Sequence, residues 1–347
     1  MAATPQLIKE LRELTGAGMM DCKNALNETG GDIDKAVQAL REAGLGKAAK
    51  KAGNVAAEGL IAIEINSNKT KAVILELNSQ TDFVAKNENF INITKEITAY
   101  ALANNINDAD ALNSSTINNQ DFSTYLAEKI ATIGENIVAR KLSSVEGQVV
   151  NGYVHVTGRT GVILAATCDK AVEEKATTLL RNIAMHASAM KPTVISYKDL
   201  DQAFVESENR AIKAEIEAEN DELKRLGKPL KKIPEFVSKS QLTEKAIADA
   251  KARFEDELRA QNKPEKIWDK IIPGQIERFI ADNTQLDGRC ALLSQVYVMD
   301  DKKTVEQAIA EVDSSITLTQ YIRFELGEGI EKKEEDFAAE VAKQMGK

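Results

Sequence analysis

The sequence is poor in the residues on which most enzyme chemistry depends. It has two histidines, His155 and His186, and neither stands in a Cys or Ser constellation that spacing would pair with it. Its three cysteines, Cys22, Cys168 and Cys290, lie far apart without CxxC spacing and suggest neither a disulfide framework nor a zinc site. That usage fits a reduced, cytosolic compartment. No Gly-x-x-x-x-Gly-Lys-Ser/Thr loop occurs, so Walker-type cradling of a nucleotide is not expected. Gly16-Ala17-Gly18 is at most the start of a dinucleotide fingerprint, and it follows a helix pattern rather than a strand. Carboxylates are abundant, but none stands out as a catalytic pair. Net positive charge is missing too: 45 Lys and Arg face 54 Asp and Glu, and the net charge of −9 argues against a generic nucleic-acid binder. The N-terminus has no apolar h-region, and no apolar run is long enough to span a bilayer, so neither export nor membrane insertion is expected. Nothing here supports an enzyme, and no cofactor or metal is implied.

What is present is an ordinary globular composition, 43% hydrophobic and 29% charged, in a 347-residue chain that suggests two or three folding units. Residues 1 to about 45 read as three short helices. The first places Leu7, Ile8, Leu11 and Leu14 on one face and ends at Gly16-Ala17-Gly18. The second runs from Met19 to Glu28. The third starts after Gly30-Gly31 with Asp32 as N-cap and Ile33, Ala36, Val37 and Leu40 inward. This bundle resembles a ubiquitin-associated-type fold, whose third helix often begins with such a Gly-Asp-Ile turn. Gly46 to Gly53, small and basic, reads as a linker with some helical character.

An internal repeat follows. Glu58 to Ile63 and Ala72 to Leu77 are strand patterns around a turn-rich Asn66-Ser67-Asn68, and Gly152 to Val156 with Gly161 to Ala166 repeats that arrangement. A helix follows each copy, Thr81 to Ala103 in the first and Val172 to Met190 in the second. The duplication predicts two related α+β subdomains with small antiparallel sheets covered by helices. Val296 to Met299 and Tyr321 to Leu326 supply later strands for the second. Between about Ala203 and Asp287 the chain becomes charged and helical. Ile212, Ile216, Leu223 and Leu226 make one apolar seam, Gly227-Lys228-Pro229 stops it, and Leu242, Ala246, Phe254 and Leu258 make a returning one. This predicts an antiparallel, coiled-coil-like helical arm in which Trp268, the only tryptophan, is packed.

The stretch Asn78 to Asn87 sits where a strand pattern hands over to a helix pattern. Ser79 or Thr81 can cap the helix, with Asp82 at the positive end of its dipole. Phe83 lies seven residues before Phe90. Periodicity allows it to be a core aromatic on that shared face, or an apolar tip projecting beyond the core.

Thr81-Asp82-Phe83-Val84-Ala85-Lys86-Asn87 after an apolar strand resembles a signature of the elongation factor Ts family. Leu14 to Lys23 resembles that family's N-terminal signature, and Ile322 to Lys332, followed by Asp336-Phe337-Ala338-Ala339-Glu340-Val341, resembles its C-terminal module. The resemblance implies a three-helix N-terminal domain and linker (1–52), a core subdomain N (53–141), a core subdomain C (142–202 and 292–330), a helical arm inserted in it (203–291) and a C-terminal helical module (331–347). The protruding arm departs from the family in carrying extra helical turns over roughly Glu222 to Gln261. The family's function implies a non-enzymatic, cytoplasmic guanine-nucleotide exchange factor in protein biosynthesis. Its partner would be elongation factor Tu, GDP-bound and nucleotide-free, with no direct contact to nucleic acid or membrane. Thr81, Asp82, Phe83 and Val84 would then intrude near the partner's Mg²⁺, with Phe83 as the wedge. Met19, Met20, Lys23 and His186 are further partner-binding candidates, although His186 can equally be a satisfied half-buried histidine, Lys23 a solvated lysine and the methionines core. The final helix, Phe337 to Met345, would brace the partner or close the fold. A different class of function, a helical interaction scaffold acting through residues 1–45, would bind without accelerating GDP release.

Overall fold

Thr4 starts the first helix, its hydroxyl accepting the Leu7 N–H at 3.3 Å while Pro5 occupies a position that needs no donor. In the computed structural model, which describes residues 3–330, this is α1 (Pro5–Thr15). It is followed by α2 (Met19–Glu28) and α3 (Ile33–Lys51), the latter capped by Asp32. Leu11, Cys22, Ala25, Leu26 and Ala36 form their small core. The stretch expected as a linker from Gly46 is mostly the last turns of α3, where alanines and lysines favour helix.

Strands β1 (Glu58–Ile65) and β2 (Lys71–Ser79) form an antiparallel hairpin with Glu58 opposite Ser79. The helix expected from Thr81 to Ala103 is two helices, α4 (Asp82–Ala85) and α5 (Glu88–Ala103). Asn87 interrupts them: its side chain accepts the Asn89 N–H at 2.8 Å and starts α5 afresh. Then come α6 (Ala109–Asn113), a minimal pair β3 (Thr116–Ile117) and β4 (Gln120–Asp121), α7 (Phe122–Ile133) and β5 (Ile137–Glu146). Strand β5 pairs antiparallel with β2, completing a sheet of order β1-β2-β5. It has no clean alternating pattern because its register shifts opposite Glu76 and Leu77: these residues face Lys141 and Ala139, leaving Arg140 as the extra residue of a bulge.

After β6 (Val149–Val154) and β7 (Thr160–Thr167), the chain builds α8 (Glu173–Met190), α9 (Gln202–Arg225), α10 (Glu244–Ala260), α11 (Trp268–Asp282) and α12 (Gln285–Cys290). A short hairpin of β8 (Val296–Tyr297) and β9 (Asp300–Thr304) leads into α13 (Val305–Val312). The apolar seam of Leu242, Ala246, Phe254 and Leu258, expected to return along α9, lies mostly on a helix that packs on α11: α10 meets α11 with Phe254 and Phe279 edge to face at 6.3 Å. Residues 226–243 are not a hairpin tip. They double back so that Val237 joins Val205, Ile212 and Leu286 in a core.

The last described strand, β10 (Thr317–Glu325), begins earlier than its apolar pattern suggests and forms a second three-stranded sheet of order β10-β7-β6. Small antiparallel sheets with helices make this an α+β fold. Contacts divide the described chain into two units, residues 3–165 with 322–330, and residues 166–321. In the first unit β2 is buried along its whole length. One face, with Val73, Leu75 and Leu77, packs on Phe90, Ile93 and Ile97 of α5 and on Phe122 and Tyr125 of α7. The other, with Ala72 and Ile74, meets Val150, Ile163 and Phe324 of the second sheet. The expected C-terminal module, 331–347 with its helix over Phe337 to Met345, lies outside the described residues.

Candidate functional site

Strand β2, held on both faces, delivers its C-terminal end into the turn Gln80-Thr81-Asp82-Phe83-Val84. That turn is braced from below by polar groups far away in sequence. The Thr81 hydroxyl donates to Glu135 Oε1 at 2.7 Å and the Thr81 N–H donates to Glu135 Oε2 at 3.0 Å, so one carboxylate grips one residue through both oxygens. The Ser79 hydroxyl donates to the Thr81 carbonyl at 3.0 Å. Gln80 Oε1 accepts the Asn136 N–H at 2.8 Å and an Asn54 amide N–H at 3.3 Å, and Asn136 Nδ2 donates to the Asn54 carbonyl at 2.9 Å.

Above this base the four candidate residues divide their tasks. Thr81 caps the turn, its hydroxyl oxygen accepting the Val84 N–H at 3.4 Å. Val84 is half-buried against the helix-side core, and Ala85 is buried. Asp82 forms an i,i+4 ion pair with Lys86 at 2.6 Å, and this hydrogen bond holds its carboxyl below the usual carboxylate range. Phe83 does not join Phe90 in the core: 80% of its surface is exposed, while Phe90 has none. The ring is an apolar tip held in water on a firmly braced turn. Glu135, Asn136 and Asn54 were not legible as site residues, since only the fold brings them under the turn.

Met19, Met20 and Lys23 do come together. They line an open groove on the three-helix bundle with Ile8, Arg12 and Glu13 of α1, and both methionines are exposed rather than part of the bundle core. His186 is placed otherwise. It is fully buried on α8, with Nε2 3.0 Å from Gln295 Oε1 and Nδ1 accepting the Val298 N–H at 3.2 Å. Since Nδ1 accepts, the proton sits on Nε2 and goes to Gln295. Gln295 in turn donates to the Arg289 carbonyl at 2.9 Å and the Met190 carbonyl at 3.3 Å. Burial pushes the His186 pKa below the ordinary imidazole value. His186 is therefore a neutral strut under the β8–β9 hairpin, and the surface that it supports consists of Val296, Val298 and Met299, all exposed. Sequence reasoning passed over those three as site residues; their exposure on the short strand (Val296) and its turn (Val298, Met299) is the feature that marks them.

Among the described residues no group of three or more His, Cys, Asp or Glu side chains is placed to hold a metal ion, and no helix is long and apolar enough to cross a membrane. The first unit thus carries a braced aromatic tip and a methionine-lined groove, and the second carries an exposed apolar hairpin.

Comparison with known proteins gives the family. The family model described as "Elongation factor TS" matches residues 80–233 and 231–328. The chain is 84% identical over 344 residues to elongation factor Ts of Aliarcobacter butzleri (strain RM4018), covering 99% of each chain. It is 56% identical over 354 residues to elongation factor Ts of Campylobacter curvus (strain 525.92), covering 100% of each, and 52% identical over 354 residues to that of Helicobacter hepaticus (strain ATCC 51449 / 3B1), covering 99% of this chain and 100% of the other. These matches cover 99–100% of the chain. With a family model spanning most of it and relatives this similar from end to end, the chain belongs to the elongation factor Ts family.

Proposed function

We propose that this translation elongation factor is a guanine-nucleotide exchange factor. It binds elongation factor Tu in its GDP-bound form, displaces Mg²⁺ from the nucleotide site, releases GDP and leaves a nucleotide-free complex that GTP then resolves. The observation that carries this reading is Phe83, 80% exposed on a turn clamped at Thr81 by both oxygens of Glu135. Exchange requires no catalytic group in the exchange factor itself. It requires that the factor and the nucleotide weaken each other's binding, a coupling that is reciprocal by thermodynamic necessity.

Magnitudes decide how the work is divided. Accelerating release about a thousandfold means lowering the barrier by roughly 4 kcal/mol. Burying one phenylalanine supplies only about 1.5–3 kcal/mol. Phe83 therefore acts with other contacts, and Mg²⁺ is the natural target because its charge dominates a phosphate site. In this reading Thr81 and Val84 fix the tip and Asp82 presents a carboxylate beside it. Met19, Met20 and Lys23 grip the same partner through the three-helix bundle. His186 acts indirectly, by holding the apolar hairpin of Val298 and Met299 against the partner. The protein works in the cytoplasm, without nucleic acid or membrane.

The test is release of fluorescent GDP from elongation factor Tu at increasing concentrations of the intact chain. Saturable acceleration supports exchange. Binding without acceleration would leave a scaffold acting through the N-terminal helices.

A further inference from the structure

Helices α10 and α11 pack on each other but leave an open groove of about 860 Å³ along the pair. Its floor is apolar, made by Ile247 of α10 and by Trp268, Ile272 and Ile276 of α11. The side chains of Glu244, Glu255, Glu265 and Asp269 border it, against the amine of Lys251 and the Arg259 guanidinium, which sits 5.5 Å from the Trp268 ring centre and is paired with Asp256. The Lys251 amine already faces Glu255 at 3.9 Å. Pro273, inside α11 and itself lining the groove, has no N–H to return to the Asp269 carbonyl, which is left without its helical donor.

We propose that this groove receives a basic amphipathic helix from a partner protein. Two packed helices with an apolar furrow between them present the geometry in which a third helix lays its i, i+3, i+4, i+7 face. The four carboxylates select lysine and arginine on that helix's flanks. A second copy of this chain is a poor occupant, because a two-fold contact through the groove would set the same carboxylates against each other. The proposal does not depend on the exchange reading, since neither Phe83 nor the turn that holds it belongs to the groove.

Trp268 makes the test direct, because it is the only tryptophan in the chain and lines the groove. The intact protein is titrated with a tryptophan-free synthetic helix of about 18 residues, five turns, carrying leucines at i, i+3, i+4 and i+7 and lysines and arginines elsewhere. A control peptide has the same leucines with glutamates in place of the basic residues. The basic peptide should shift Trp268 emission saturably, and the acidic peptide should not. Glu244→Lys combined with Glu265→Lys, both at exposed positions, should weaken binding of the basic peptide about tenfold, and added salt should weaken it for the intact protein. Equal shifts with both peptides, no shift with either, or unchanged affinity in the charge-reversed variant would overturn the proposal. So would a concentration-dependent shift without peptide that tracks dimer formation in sedimentation, which would give the groove to a second copy.

Discussion

At the scale of single residues, exposure and anchoring come apart at the candidate site. Phe83 contributes little to the fold because most of its ring is in water, so Phe83→Ala should leave the melting temperature nearly unchanged while slowing GDP release about ten- to a hundredfold, the equivalent of one buried aromatic. Glu135 has the converse character: it is bound to Thr81 through both of its oxygens, and in the proposed function it acts through that residue. Glu135→Ala should slow exchange in the intact background and add nothing in a Phe83→Ala background, and Glu135→Gln, which still accepts the Thr81 N–H, should recover part of the loss. Additive effects in that double-mutant cycle would mean that Glu135 supports stability rather than the tip. His186 gives a prediction in pH. Its native pKa is lowered, so below about pH 6.5 the unfolded chain binds more protons than the folded one. Its contribution is intact above that value and is lost as pH falls toward the lower native one. Thermal melts at pH 7.5 and 5.5 should show an acid-sensitive component that disappears in His186→Ala, a variant that also costs about 1–3 kcal/mol by orphaning Gln295 and the Val298 N–H.

At the scale of elements, some helix starts were readable because capping is local chemistry. Asp32, and Thr81 as one of two capping candidates, each accept the backbone N–H three residues on, whereas Thr4 and Thr304, which do the same, were not singled out in the sequence. Strand β5 was not readable. The bulge at Arg140 moves its helix-side positions from Ile137 and Ala139 to Leu142, and Val145 is buried on the opposite face, so no period of two runs through it. Phe83 was ambiguous for a related reason. Its phase with Phe90 holds only on a continuous helix, and Asn87 resets the phase between α4 and α5. Strand β1 tests how tightly these elements meet. Gly59 has φ 139°, and a Cβ there would lie 2.1 Å from the Leu77 carbonyl of β2. Gly59→Ala should cost more than about 4 kcal/mol, or prevent folding, as measured by urea denaturation, because strained backbone and steric overlap act together. An ordinary, modest loss would mean that the hairpin opens there freely.

At the scale of the molecule, the chain leaves its first unit after residue 165 and returns at 322, and a buried charge marks the return. Glu76, with no exposed surface in the middle of β2, takes Arg140 through both oxygens at 3.1 Å and accepts the N–H of Gly327 at 2.9 Å, 251 residues away. Arg140 also donates to the Glu328 carbonyl at 2.6 Å. Glu76→Ala should cost about 3–5 kcal/mol, since it strands a guanidinium and an N–H at once, and a loss below about 1 kcal/mol in chemical denaturation would show that the returning segment is held by its apolar contacts alone. The sequence by itself determined the helix caps, the apolar strands, the α+β class and the stretch around Phe83, because these follow from side-chain chemistry acting over a few residues. Only the tertiary structure decided that Phe83 faces water, that Glu135 holds its turn, that His186 is a strut and that α10 serves α11. Each of these depends on groups distant in the chain meeting across a core, and no local period encodes such a meeting.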